Sequence, residues 1–369
     1  MYGRDYLPAD VPADALTDVS YAFVTPVQAG GFYDCRFNDE AAAKKKRLPR
    51  LVPGTDVGSG EDRGLVNQFR VLRRAHPALK VLMSVGGGGE PTLASDLSHI
   101  AADAGLRQHF ASACAHFMRD NGFDGIDIDW ECPTAAEAGN FIALMHDLHS
   151  AMNALGPHYQ LTFAAQANPA KLAGFDRPAL DPLVDWVNVM AYDFHSAGDS
   201  HTSHPAPLGG SSQDPSGPSY SVNAAVAAWL GKMPAGKLNL GLAYYGKAFQ
   251  HLQSAGPDPD VPGRFARVKA GDYPSSIWDK ATPSSDFDYW DIRARFSGTG
   301  SFISATRPVS GLNGYTRFWD AQQQGPFLFR ADAVGSAGTG LWLSYDDPQS
   351  AAQKVAYAKA RGLGGIFVW

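Results

Sequence analysis

Phe123-Asp124-Gly125-Ile126-Asp127-Ile128-Asp129-Trp130-Glu131 is the stretch on which the fold turns. Side chains alternate across a β-strand, so Ile126, Ile128 and Trp130 leave one face while Asp127, Asp129 and Glu131 leave the other. In a barrel of parallel strands the apolar row meets the outer helices. The carboxylate row then lines the interior, stacked toward the carboxyl end of the strand, where barrel enzymes keep their chemistry. Three carboxylates at successive alternate positions raise one another's pKa, so one of them holds a proton near neutral pH. An acid kept protonated beside ionised neighbours suits general acid catalysis on an ether or acetal oxygen. A polar face on an exposed edge strand and a divalent metal site are the other two readings of this pattern.

Working outward, short apolar runs recur at Val19 to Val24, Val81 to Val85, Tyr159 to Ala165, Trp186 to Tyr192, Leu238 to Tyr244 and Gly365 to Trp369, giving seven strand candidates with the first. Helical patterns at Leu65 to Ala75, Leu106 to Asp120, Ala135 to Leu155, Val222 to Lys232 and Gln349 to Arg361 lie between them. Strand and helix in alternation imply an α/β fold on a parallel sheet. Near-continuous apolar runs such as Trp186-Val187-Asn188-Val189-Met190-Ala191 suit strands covered on both faces. A barrel and a doubly wound sheet both satisfy this much. From Lys247 to about Ala331 the chain turns rich in Gly, Pro, Ser and aromatics, and reads as an inserted subdomain.

The chain has 369 residues, room for one large domain with an insertion or for two domains. Lysine and arginine number 31 against 37 aspartate and glutamate, a net charge of −6, which argues against nucleic-acid and anionic-membrane partners. Aromatic residues make up 11 %, consistent with a lined cleft for a mostly neutral ligand. The three cysteines, Cys35, Cys114 and Cys132, allow at most one bridge and have no metal-ligand spacing. No run approaches the roughly 18 apolar residues of a membrane span, and the first residues do not read as a signal peptide. His195, His201 and His204 read as solvated loop residues after the strand at Trp186.

At Asp124, Gly125, Asp127, Asp129 and Glu131 the sequence resembles glycoside hydrolase family 18, whose chitinases carry D-G-x-D-x-D-x-E at the end of barrel strand four. Ser84-Val85-Gly86-Gly87 resembles the strand-three S-x-G-G, Tyr21-Ala22-Phe23 the strand-two motif and Met190-Ala191-Tyr192-Asp193 the strand-six M-x-Y-D. Tyr245-Gly246-Lys247 resembles the strand-seven Y-G-R, after which longer members carry an α+β insertion. Gly314-Tyr315 through Trp319-Asp320, Ser344-Tyr345-Asp346-Asp347 and Gly364 to Trp369 resemble the close of that insertion and strand eight.

The resemblance implies a TIM (β/α)8 barrel, incomplete at the N-terminus because strand one has no counterpart. It divides the chain into a barrel at 1–246, an α+β insertion at 247–331 and a closing segment with strand eight at 332–369. It also implies an endo-acting chitinase that uses substrate-assisted retention, in which the 2-acetamido oxygen of the sugar attacks its own anomeric carbon. Glu131 is then the general acid and base, Asp129 orients the acetamido group and stabilises the oxazolinium ion, and Asp127 shares a proton with Asp129. Tyr192 hydrogen-bonds the acetamido oxygen and Trp369 stacks under the sugar, while Phe23, Met190, Asp193, Tyr245 and Lys247 line the same subsite.

Three departures bear on substrate grip: Gly88 stands where chitinases often have Trp, Cys132 where they have Tyr, and Lys247 where Y-G-R has Arg. An endo-β-N-acetylglucosaminidase and a chitin-binding lectin without catalysis are the competing functions. No cofactor or metal is implied. The expected partner is chitin or its N-acetylglucosamine oligomers, met by a monomer, with no nucleic acid and no membrane. An extracellular site of action is expected from the substrate.

Overall fold

The computed structural model describes residues 6–88, 91–172, 174–196, 198–272, 274, 285–298 and 307–369. It comprises two compact units, one of Met1–Ala165 with Ala173–Val187 and one of Gln166–Leu172 with Asn188–Trp369.

The first unit contains β1 (Asp18–Ala29), β2 (Phe32–Phe37), α1 (Leu65–Ala75), β3 (Lys80–Gly86), α2 (Pro91–Ala102), α3 (Ala104–Asn121), β4 (Gly125–Asp129), α4 (Ala138–Leu155), β5 (Gln160–Ala165) and α5 (Arg177–Leu180). β6 (Trp186–Val189) has its first two residues in this unit and its last two in the other. The strand order in the first unit is β6-β5-β4-β3-β1-β2. β1, β3, β4 and β5 pair in parallel, as alternation with helices requires. β2, which the periodicity does not announce, folds back antiparallel on Val24–Ala29. The reversal is made by Gly30 and Gly31, both at positive φ, the backbone that a tight hairpin demands at its two central residues. The amino-terminal half of β1 pairs with β3.

Local chemistry sets the helix ends. The Asp103 side chain accepts from the Leu106 N–H to start α3, and Gly122 in the left-handed region ends it. A disulfide joins Cys35 on β2 to Cys114 on α3, with Cys132 outside it.

The second unit contains α6 (Val222–Trp229), β7 (Leu238–Leu242), β8 (Tyr245–Phe249), β9 (Asp286–Asp288), α7 (Tyr289–Ile292), β10 (Val309–Ser310), β11 (Thr316–Asp320), β12 (Gly325–Phe329), β13 (Trp342–Tyr345), α8 (Pro348–Ala360) and β14 (Gly365–Val368). One sheet segment runs β14-β7-β6, with β14 and β7 parallel. All seven strands expected from the sequence are thus present. β14 ends its order, and its outward Ile366 and Val368 are each 42 % exposed.

The irregular segment builds an antiparallel sheet of its own, ordered β10-β11-β12-β13-β8-β9. Alternation divides its apolar residues between two faces. Ala248, Leu328, Leu343 and Tyr345 enter one cluster, while Phe249, Phe327, Phe329 and Trp342 enter the other. This sheet reaches further in both directions than the compositional change at Lys247 to Ala331. Trp342–Tyr345, in the segment expected to close the barrel, pairs with β12 and β8 because both of its faces have apolar cover here. Among the described residues of the insertion, α7 is a single turn that continues as a π-helical turn at Arg293–Ser297.

Candidate active site

In the first unit the β4 row divides as alternation requires. Ile126, Ile128 and Trp130 are buried, and the Trp130 ring meets Phe141 of α4 edge-on at 6.1 Å. On the opposite face exposure rises along the strand: Asp127 and Asp129 are buried and Glu131 is exposed. The parallel registers set Ser84 of β3 and Thr162 of β5 beside Asp127. Both hydroxyls donate to it, Ser84 Oγ to Oδ2 at 2.9 Å and Thr162 Oγ1 to Oδ1 at 2.5 Å.

Asp129 has no such support, since its Oδ1 is buried without a hydrogen-bond partner. Burial first, then the neighbouring Glu131 and Asp127 charges, push its pKa up from 3.8 to about 8. The proton expected somewhere in the row therefore resides on Asp129 at neutral pH.

The glycines after β3 let the chain pass close over these carboxylates. At Gly86, where φ is +119°, an added Cβ would stand 2.1 Å from the Asp129 carbonyl oxygen. At Gly88 it would stand 2.7 Å from Glu131 Oε2. Phe23, half-buried, lies against Gly87. Asp127, Asp129, Glu131 and Phe23 are thus gathered by four neighbouring segments of one unit.

In the second unit the chain turns sharply after β6. Ala191 N–H donates to the Val189 carbonyl at 2.7 Å and Tyr192 N–H to that of Met190 at 2.8 Å, two successive three-residue turns. Asp193 then takes a positive φ of 54°, which a short polar side chain tolerates. Its carboxylate accepts from the Tyr245 hydroxyl at 2.8 Å and lies 3.2 Å from Lys247 Nζ. Lys247 also meets Asp286, which β9 places directly opposite it in the antiparallel register, at 2.5 Å. Burial alone would lower the Lys247 pKa; Asp193 and Asp286 outweigh it and hold the ammonium above its ordinary range. Burial and Asp193 likewise push the Tyr245 phenol upward, so it stays a donor.

The Tyr192 ring stands 6.4 Å from that of Tyr245 and 6.0 Å from Phe367, and Gly241 leaves the room it occupies. Met190 is half-buried. Trp369 is 56 % exposed, with its backbone N–H donating to Leu242 and its carbonyl accepting from Tyr244. Tyr192, Asp193, Tyr245 and Lys247 are therefore one connected group.

A sequence model of glycosyl hydrolases family 18 matches residues 2–369. The chain belongs to that family. Family-18 relatives include chitinase 1 of Aphanocladium album and endochitinase 1 of Metarhizium robertsii, each 30 % identical over the whole chain and 78 % of the relative. Among solved structures, chitinase ChiA74 from Bacillus thuringiensis superposes with a TM-score of 0.82 at 26 % identity, over all of this chain and 63 % of that one. Membership carries the family-18 TIM-barrel fold, mixed α/β on a parallel sheet.

Sequence reading missed one support in each of the two groups. Thr162 carries no motif, and only the β4–β5 register brings it to Asp127. Asp286 lies 39 positions beyond Lys247, and only the β8–β9 pairing joins them.

Proposed function

We propose that this family-18 hydrolase is a chitinase, cutting β-1,4 linkages between N-acetylglucosamine units inside the polymer with retention at the anomeric carbon. The observation that carries the mechanism is a buried Asp129, its pKa pushed up to about 8, between the buried Asp127 and the exposed Glu131 on one strand face. Substrate binding passes the Asp129 proton to Glu131, which at the exposed end gives it to the glycosidic oxygen as the sugar's acetamido oxygen attacks the anomeric carbon. Asp129, left as a carboxylate, turns toward the acetamido N–H and balances the charge of the oxazolinium ion, while the hydroxyl-bonded Asp127 stays as its partner below. Glu131, now a carboxylate, takes a proton from water, which opens the ring from the face the leaving group left and restores the β-anomer.

Tyr192 donates to the acetamido oxygen in this reading, and Asp193, held by Tyr245 and Lys247, orients it. Met190, Phe23 and Trp369 supply apolar contact to the sugar, Trp369 by stacking. The two fungal relatives named above, one a chitinase and one an endochitinase, support the polymer as substrate. A neutral glycan suits the net charge of −6, which disfavours nucleic acid, and no helix among the described residues is long and apolar enough to cross a membrane. We read the working species as a monomer. The Cys35–Cys114 bridge supports action in an oxidising, extracellular setting.

Glu131→Gln tests the assignment. It removes the proton donor at nearly unchanged volume, so turnover of a short N-acetylglucosamine oligomer should fall by at least about 100-fold, the span of general acid–base catalysis, while oligomer binding persists. NMR of the fresh product should show the β-anomer first from the unaltered protein. An α-anomer, or near-normal turnover by the variant, would overturn the mechanism.

A further inference from the structure

The three histidines after β6 are not solvated loop residues: His195, His201 and His204 are all buried. His204 is accounted for by Ser344 Oγ at 2.6 Å and Asp320 at 3.4 Å. His195 and His201 converge with Asp214, and none of these three has a part in the glycan chemistry above. We propose that His195 Nε2, His201 Nε2 and the Asp214 carboxylate form a binding site for a divalent transition-metal ion, zinc by its donor set.

The geometry has three parts. First, one ligand atom from each residue lies within 4.8 Å of the other two, and all three residues are buried. His195 Nε2 is 3.1 Å from Asp214 Oδ2 and His201 Nε2 is 3.5 Å from Asp214 Oδ1. Ligands at 2.0–2.2 Å around a tetrahedral ion stand roughly 3.3 Å apart, so these separations already suit such an ion.

Second, His195 Nε2 is wholly buried, and Asp214 Oδ2 at 3.1 Å is the polar atom set against it, with no hydrogen bond of good geometry between them.

Third, an outer ring of partners fixes the ligands. Asp199 Oδ2 lies 3.1 Å from His195 Nδ1, where it can hold the ring proton when an ion takes Nε2, the carboxylate–histidine relay common behind zinc. Ser203 Oγ donates to Asp214 Oδ2 at 2.9 Å and Ser216 N–H to Oδ1 at 2.8 Å, leaving each oxygen a second lone pair.

Two imidazoles and one carboxylate form a borderline donor set that zinc accepts, whereas calcium and magnesium ask for oxygen alone. Three protein ligands leave a fourth position for water. Sequence spacing conceals the site because Asp214 lies 13 residues past His201. The proposal departs from the expectation of no metal, through residues that carry no motif. An ion here would fasten the loop that His201 and Thr202 pair to Arg267 and Ala266.

The test uses the full chain stripped with a chelator and titrated with zinc chloride, with metal content read by mass spectrometry and binding by calorimetry. The proposal predicts one equivalent of zinc per chain, a matching rise in thermal midpoint, and a tetrahedral visible spectrum when cobalt replaces zinc. Asp199→Asn should weaken binding about 10- to 100-fold, and His201→Gln should abolish stoichiometric binding. The Glu131→Gln variant should bind zinc like the parent, which separates this site from the hydrolytic reading. The cobalt spectrum needs no variant and so does not depend on whether His201→Gln folds. Absence of saturable binding in the parent chain, or an unchanged equivalent in His201→Gln, would overturn the proposal and leave a proton-mediated histidine–carboxylate network.

Discussion

Asp129 pays for its position in stability. Its folded pKa of about 8 stands well above the 3.8 of a free aspartate. As pH rises from about 4 to about 8 the unfolded chain releases this proton while the folded chain keeps it, so stability falls by up to about 1.4 kcal/mol per pH unit and then levels off. Asp129→Asn removes that titration. Urea unfolding of both proteins at pH 5, 7 and 9 should therefore show the variant's advantage growing to pH 8 and flattening above it; a constant difference would contradict the raised pKa. In the native enzyme kcat/KM should decline above about pH 8, where ionised Asp129 adds an unsupported charge beside Asp127 and Glu131.

At the scale of elements, the site depends on how closely the end of β3 crosses the end of β4. Gly88 is tested by Gly88→Ala, whose Cβ would stand 2.7 Å from Glu131 Oε2. The carboxylate is the far end of a flexible, exposed side chain, so it moves rather than the backbone. Stability should change by less than about 0.5 kcal/mol, while kcat falls about 10- to 100-fold through misplacement of the acid. Unaltered kcat would mean that Glu131 works from another rotamer. β8 and β9 show the same dependence on pairing, since Lys247 as a point charge bridges Asp193 and Asp286 where an arginine fork would favour one of them.

For the whole molecule, the Cys35–Cys114 bridge closes a loop of 79 residues between β2 and α3. Restricting a loop of that length in the unfolded chain is worth about 4 kcal/mol. Cys35→Ser with Cys114→Ser, or a reducing agent on the native protein, should lower the urea midpoint accordingly. An unmoved midpoint would place the stabilisation elsewhere. β2 is invisible to periodicity because its place is set by the Gly30–Gly31 turn and by cover from α3, and neither is an alternation of apolar residues.

The seven strands, the helices between them and the division of β4 into an apolar and an acidic face were legible in the sequence, because each rests on a local period of two or about 3.6 residues. The acidic row was legible for the same reason: Asp127, Asp129 and Glu131 are neighbours on one strand. Tertiary structure decided which carboxylate holds the proton, since burial raises Asp129 while the hydroxyl donors from β3 and β5 reach Asp127. It also decided the extent of the antiparallel sheet, the pairing of Lys247 with Asp286 and the meeting of His195, His201 and Asp214. These depend on register and burial between segments distant along the chain, for which a linear pattern carries no signal.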